Sequence, residues 1–164
     1  MIGRSLVLVM FCVVLLVGSA ARPAHGQDRA EPALVLYTPP ILTAVIDPFR
    51  PPAHIGAPGN RGLEYGNSDN QIVAAAAGGY VTHAGPVAGR KTITIEHSDG
   101  VRTTYTGLLE LWVVEGMNVR QGSAIARASR GFHFGARLLD HYLDPQILID
   151  ASLGESRPRL VPPD

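Results

Sequence analysis

The chain of 164 residues carries 14 Lys and Arg against 14 Asp and Glu, so its formal net charge is zero, and it has one cysteine. That length suits one domain of ordinary size, and scattered basic residues with no stripe to follow a phosphate backbone argue against nucleic acid as a partner. Cys12 sits in an N-terminal apolar run, so the rest of the chain has no disulfide to brace it and must fold around a hydrophobic core.

Arg4 precedes the apolar run Leu6–Val17, and small residues follow. A bilayer crossing wants about 20 apolar residues, so this run is short for a transmembrane helix. The order of basic start, apolar middle and small residues reads as a secretory signal peptide over 1–26, cleaved after Ala20 or Gly26. An uncleaved N-terminal membrane anchor is the alternative. Either way, the remainder is expected outside the cytoplasm, secreted or in the cell envelope. Residues 27–45 form a lead-in with prolines at 32, 39 and 40, and more follow at 48, 51, 52 and 58. Proline lacks an N–H donor and resists both helix and central strand. The lead-in is therefore expected to be extended, with ALVLY (33–37) and ILTAVI (41–46) as short strands along the domain.

From Gln71 onward, short runs rich in β-branched and aromatic residues alternate with glycine turns. Four alanines at 74–77 are too few to nucleate a helix and are expected as a tightly packed strand. In KTITIEH (91–97), Thr92, Thr94 and Glu96 share one face, and Ile93, Ile95 and His97 the other, the period of a half-buried strand. Ser98-Asp99-Gly100 supplies a hairpin turn. His83 shares parity with Val81, so His83 and His97 are expected to be interior or semi-buried. Trp112, on LLELWVV, is expected to be packed. A turn of helix fits only near 145–153, and the polar, Pro-rich tail 151–164 is expected to be loose. The fold class is mainly β, an antiparallel sandwich or open barrel.

RGFHFG (130–135) sets one histidine between two phenylalanines. By itself it reads either as a packed aromatic or as one ligand of a set. The succession FRPP, GNRGLEY, VAAAAGGYVTHAGPVAG, ITIEHSDG, RTTYTGL, VVEGMNVRQGSAIA, FHFG and YLDP resembles the lysostaphin-type (LytM-like) zinc endopeptidases of bacterial cell walls. The resemblance covers 46–150 and implies their duplicated hybrid-motif fold.

It also implies where a site would lie. Active relatives carry HxxxD, which gives two zinc ligands, then a histidine closing TYxH, then HxH with a catalytic first and a ligating second histidine. Such a metal needs three ligands, an open position for water and groups that move protons. In this sequence the first motif reads Asn60-Arg61-Gly62-Leu63-Glu64, the second ends at Gly107, and the third reads Gly131-Phe132-His133. The metal positions are thus Asn60, Glu64 and His133, and the two catalytic histidine positions are Gly107 and Gly131. An amide oxygen is a poor zinc donor. The extra methylene of Glu64 displaces its carboxylate by about 1.5 Å relative to an aspartate.

The reading that follows is a catalytically inactive domain acting as a binding or regulatory module in cell-wall remodelling. No cofactor is expected, and the partner is peptidoglycan or a wall hydrolase such as an amidase. The alternative is an active zinc endopeptidase using Asn60, Glu64 and His133, with His54 or His141 bending in as substitute. Tyr105, Arg61 and Arg130 are the groove candidates, the arginines suiting carboxylates of wall peptides or an acidic protein. Ser68, Ser98 and Ser129 lack the histidine–carboxylate arrangement of a serine hydrolase.

Overall fold

A computed structural model describes residues 34–154 apart from residue 55. The expected signal peptide and residues 155–164 of the tail lie outside the described residues. The described chain folds into nine strands and one helix: β1 (Val45–Asp47), β2 (Gly62–Tyr65), β3 (Ile72–Ala74), β4 (Gly79–Val87), β5 (Arg90–Glu96), β6 (Val101–Leu111), β7 (Asn118–Val119), β8 (Ala124–Leu138), β9 (His141–Leu143) and α1 (Pro145–Leu153). The strands form one open antiparallel sheet in the order β1-β2-β8-β6-β5-β4-β7, while β3 and β9 also pair with β8. Both the strand class and the open sheet agree with the pattern of alternating short runs.

The alternation decides which face packs. Ile93, Ile95, Tyr105, Phe134, Leu63 and Val81 are all at most 1% exposed and build the core on one side. The opposite side carries cross-strand rows. Glu64 faces His133, His133 faces Thr106, and Thr106 faces Thr92. Beside that row run Gly62, Gly135, Thr104, Thr94 and His83. Side chains in register leave the sheet on the same side, because strand parity is two. Phe132 and Phe134 therefore enter the core while His133 between them leaves it.

Pairing of β6 with β8 shifts register between Thr106 and Leu108 and again between Leu108 and Glu110, and the first break is the larger. Thr106 faces His133, but Leu108 faces Ala128, so Gly107 alone spans Ser129, Arg130, Gly131 and Phe132. Both glycines there have left-handed backbone, φ 83° at Gly107 and 74° at Gly131. Serines pin this bulge. Ser129 Oγ donates to Gly107 O at 2.8 Å, Ser68 Oγ donates to Ser129 O at 3.0 Å, and Phe132 N donates back to Ser68 Oγ at 3.3 Å.

Four expectations need correction. The lead-in forms a strand only at Val45–Asp47; Tyr37 is instead buried as a single anchor, its hydroxyl donating to Asp99 at 2.9 Å and its amide to Ser152 Oγ. Only Ala74 of the four alanines is in a strand, although Ala75, Ala76 and Ala77 are buried. A bulge between Val81 and His83 puts His83 opposite Thr94, on the face away from Val81, although it is half-buried as expected. Trp112 is 39% exposed, with the Arg127 guanidinium 5.4 Å from its ring centroid.

The helix expected at 145–153 is complete. Asp144 caps it by accepting from Gln146 N at 2.9 Å, Pro145 opens it, and Gly154 closes it in the left-handed region. Ala151–Leu153 therefore belong to the helix and not to a loose tail.

A buried hydrogen-bond chain ties β5 and β6 to the loop after β3. His97 Nδ1 lies 2.8 Å from Gly78 O and its Nε2 lies 2.8 Å from Thr103 Oγ1, which is 3.2 Å from the Tyr105 hydroxyl; Ala76 N donates to that hydroxyl at 2.8 Å. A carbonyl can only accept, so Nδ1 carries the proton of the neutral ring and Nε2 accepts from Thr103. Thr103 has one proton, so the Tyr105 hydroxyl donates to Thr103 Oγ1. The chain is then satisfied from end to end.

Candidate functional site

Asn60, Glu64 and His133 come from the segment around β2 and from β8. Glu64 and His133 face each other in register, so the sheet does bring two of the three metal positions together. The His133 imidazole packs against Gly62: a Cβ placed on Gly62 would sit 2.7 Å from both Cε1 and Nε2. That Cβ would also overlap the backbone carbonyl of Phe134, which cannot turn aside as a side chain can, so position 62 admits glycine alone.

Asn60 does not join them. It is 6% exposed, and its Nδ2 donates to Asp47 O at 3.0 Å and Pro48 O at 3.2 Å, while Oδ1 accepts from Gly62 N at 3.2 Å. Its amide is wholly committed to holding the segment before β2. A zinc ion of the kind this fold family carries does not fit these residues. Two donors are adjacent and the third is turned into backbone, and among the described residues no group of three His, Cys, Asp or Glu side chains converges on one point.

A residue that sequence reasoning missed fills the middle of the site. Arg90, the first residue of β5, sends its guanidinium over β6, where Nη2 donates to Gly131 O. A Cβ on Gly107 would lie 2.7 Å from that Nη2 and 2.8 Å from Gly131 O. The guanidinium thus passes over the two positions where the resemblance implies catalytic histidines. A signal existed: Arg90 has the parity of Thr92 and Thr94 on the face that carries His133.

Charges respond to this arrangement. Burial, and then the positive charge of Arg90, hold the His133 imidazole below its ordinary range. Burial raises the Glu64 carboxyl; Arg90 partly offsets that, and Asp47 adds to it. His133 is therefore disfavoured as a cation, by burial first and then by the Arg90 guanidinium. Burial likewise holds His97 low.

Of the groove candidates, Tyr105 is corrected: it is fully buried, and burial pushes its hydroxyl up to about 12. Arg130 is exposed and lines a cleft of about 490 Å3 whose wall also holds Glu64, Ser68 and Gly131. Arg61 is half-buried, its guanidinium 5.5 Å from the Tyr142 ring centroid. His54 and His141 line a cleft with Arg61 and Tyr142 whose wall does not include His133.

Residues 58–145 match the model of Peptidase family M23, and the chain belongs to that family. Uncharacterized proteins of Mycobacterium tuberculosis and Mycobacterium bovis are 34% identical to it over 85 residues, 52% of this chain and 32% of each of theirs. The match thus spans about a third of those relatives' length. Among solved structures, lysostaphin superposes with a TM-score of 0.62 at 18% identity, covering 74% of this chain and 56% of that one. A chain of the SpoIIQ–SpoIIIAH pore-forming complex superposes with a TM-score of 0.60 at 20% identity, covering 77% of this chain and all of that one. These structural likenesses establish the lysostaphin-type fold. No helix among the described residues is long and apolar enough to cross a membrane.

Proposed function

We propose that this chain is an exported, catalytically inert M23 domain that acts as a binding or regulatory module in bacterial cell-wall remodelling. The observation that carries this reading is the Gly107–Gly131 bulge with Arg90 laid across it. Hydrolysis in this family's manner needs histidines at those positions. Here both backbones are left-handed and the space above Gly107 is taken by a guanidinium. Losing a general acid–base costs roughly 10²–10⁴-fold in rate, and losing an oxyanion donor roughly 10²–10³-fold more. The Asn60 amide, tied to its own segment, supports the same reading.

Export rests on the sequence pattern before residue 27. The partner is peptidoglycan or a wall hydrolase such as an amidase. That a chain of the SpoIIQ–SpoIIIAH complex shares the fold supports a role in binding, since the scaffold serves assembly there.

Metal analysis and wall assays test the proposal together. The expected result is purified protein without stoichiometric zinc after dialysis, no lysis of wall material, and retention on insoluble peptidoglycan or stimulation of an amidase. Zinc that survives dialysis, with lysis abolished by His133→Ala, would establish the enzyme instead.

A further inference from the structure

Residues 34–37 lie as a strap against α1, held by Tyr37, whose amide donates to Ser152 Oγ and whose hydroxyl donates to Asp99. Strap and helix border a cleft of about 210 Å3 whose wall includes Leu34, Leu36, Tyr37, Leu148, Ala151 and Asp99. Tyr37 is buried, but Leu34 and Leu36 on that wall are 86% and 49% exposed. Aliphatic side chains gathered around a concavity and left in water favour an occupant. An apolar cavity of about 150 Å3 takes a benzene ring, so this one has room for one leucine side chain.

Charge narrows the choice of occupant. Asp99 is exposed and accepts from the Tyr37 hydroxyl and from Val101 N. Among the described residues no Lys, Arg or His lies within ion-pair distance of it. The helix itself carries Asp150 and no basic residue, and the C-terminal end of a helix favours cations. The cleft therefore fits an aliphatic side chain flanked by positive charge. A second apolar cleft against α1, of about 340 Å3 and lined by Leu42 and Ile149, has no charged residue on its wall.

A segment of that chemistry follows α1 directly. Beyond Gly154 the chain reads ESRPRLV (155–161), in which Arg157 and Arg159 precede Leu160. The six residues from Gly154 to Leu160 can span about 20 Å. Leu148 lies only about 9 Å back along the helix from Gly154. We propose that the segment after α1 folds back onto the strap, with Leu160 in this cleft and the arginines before it against Asp99. The resulting clasp fastens residues 34–37 to the end of the domain, on a surface separate from the groove that holds His133.

Disulfide trapping in the full chain tests this, with Cys12→Ser so that only introduced thiols react. Val161→Cys is combined either with Leu36→Cys, on the wall of the cleft, or with Leu42→Cys, which is 94% exposed beside the uncharged cleft. The disulfide within one chain to position 36 is expected to form at least about tenfold faster than that to position 42, the advantage that burying one leucine confers. Leu160→Ser should remove that advantage. Asp99→Asn keeps an oxygen for the Tyr37 hydroxyl and should reduce the advantage by about two- to fivefold at low salt. Equal rates at the two positions, a faster disulfide at position 42, or an unchanged rate with Leu160→Ser overturns the proposal. Disulfides between two chains that rise with protein concentration, in place of those within one, also overturn it by assigning the cleft to a second copy.

Discussion

Placing a single methyl group on Gly107 separates backbone strain from steric blockage. Gly107 and Gly122 both have left-handed backbone, φ 83° and 76°. A Cβ on Gly122 meets nothing within 4 Å, whereas one on Gly107 meets Arg90 Nη2 at 2.7 Å and Gly131 O at 2.8 Å. The left-handed conformation costs an L-residue about 1–2 kcal/mol, and Gly122→Ala should lose that much and no more. Gly107→Ala carries the same strain. In addition, Arg90 must swing away, losing its hydrogen bond to Gly131 O, worth about 1 kcal/mol at an exposed site. The carbonyl of Gly131 belongs to a bulge pinned by two serines and has no rotamer to change, so overpacking adds about 1–3 kcal/mol. The expected loss for Gly107→Ala is therefore roughly 3–6 kcal/mol. Urea unfolding of the two variants gives the comparison. If Gly107→Ala lies within about 0.5 kcal/mol of Gly122→Ala, the contact reasoning fails, and with it the claim that this backbone has closed against a histidine.

Three further outcomes are expected. Thr103→Val leaves His97 Nε2 and the Tyr105 hydroxyl without their shared partner and should cost about 1–3 kcal/mol; unchanged stability would show that this buried chain does not stabilise the fold. His97 and His133 are both held below the ordinary imidazole range, so in the window below pH about 6.5 the unfolded chain binds more protons than the folded one. Stability should hold above pH 7 and fall as pH drops through that window, by up to about 1.4 kcal/mol per pH unit for each imidazole. Glu64 acts in the opposite sense, its raised carboxyl favouring the folded state as pH falls towards 4.5. Denaturant curves at successive pH values, with His133→Gln reducing the slope, test this; an identical slope in that variant would refute it. Finally, zinc should not raise the melting temperature, whereas a ligand at 100 times its dissociation constant adds about 2.7 kcal/mol. A zinc-dependent rise lost in His133→Ala would contradict the donor geometry of Asn60.

Much of the fold was legible because strand parity is a local property. The alternation in KTITIEH placed Ile93 and Ile95 in the core and Thr92 and Thr94 on the far face. Bulges are not local in that sense. Nothing in Val81-Thr82-His83 announces the shift that carries His83 across the sheet, because it arises from pairing with β5. Tyr105 was misplaced because parity within β6 does not say which face is the core. The neighbouring Thr104 and Thr106 take the groove side, and Tyr105 falls opposite. Arg90 shared the parity of Thr92, yet a long side chain reaching over one strand to the next leaves no mark in sequence spacing.

Residue chemistry at 60, 107 and 131 was determined by the sequence: an amide and two glycines stand where the resemblance to active relatives implies imidazoles, and no folding can supply a ring nitrogen there. What occupies the space was decided by the tertiary structure. Whether the site would stand open or be filled depended on a four-against-one bulge between β6 and β8 and on a guanidinium delivered from β5. Those are properties of strands meeting across the sheet, and they exist only once residues far apart in the chain have been brought into register.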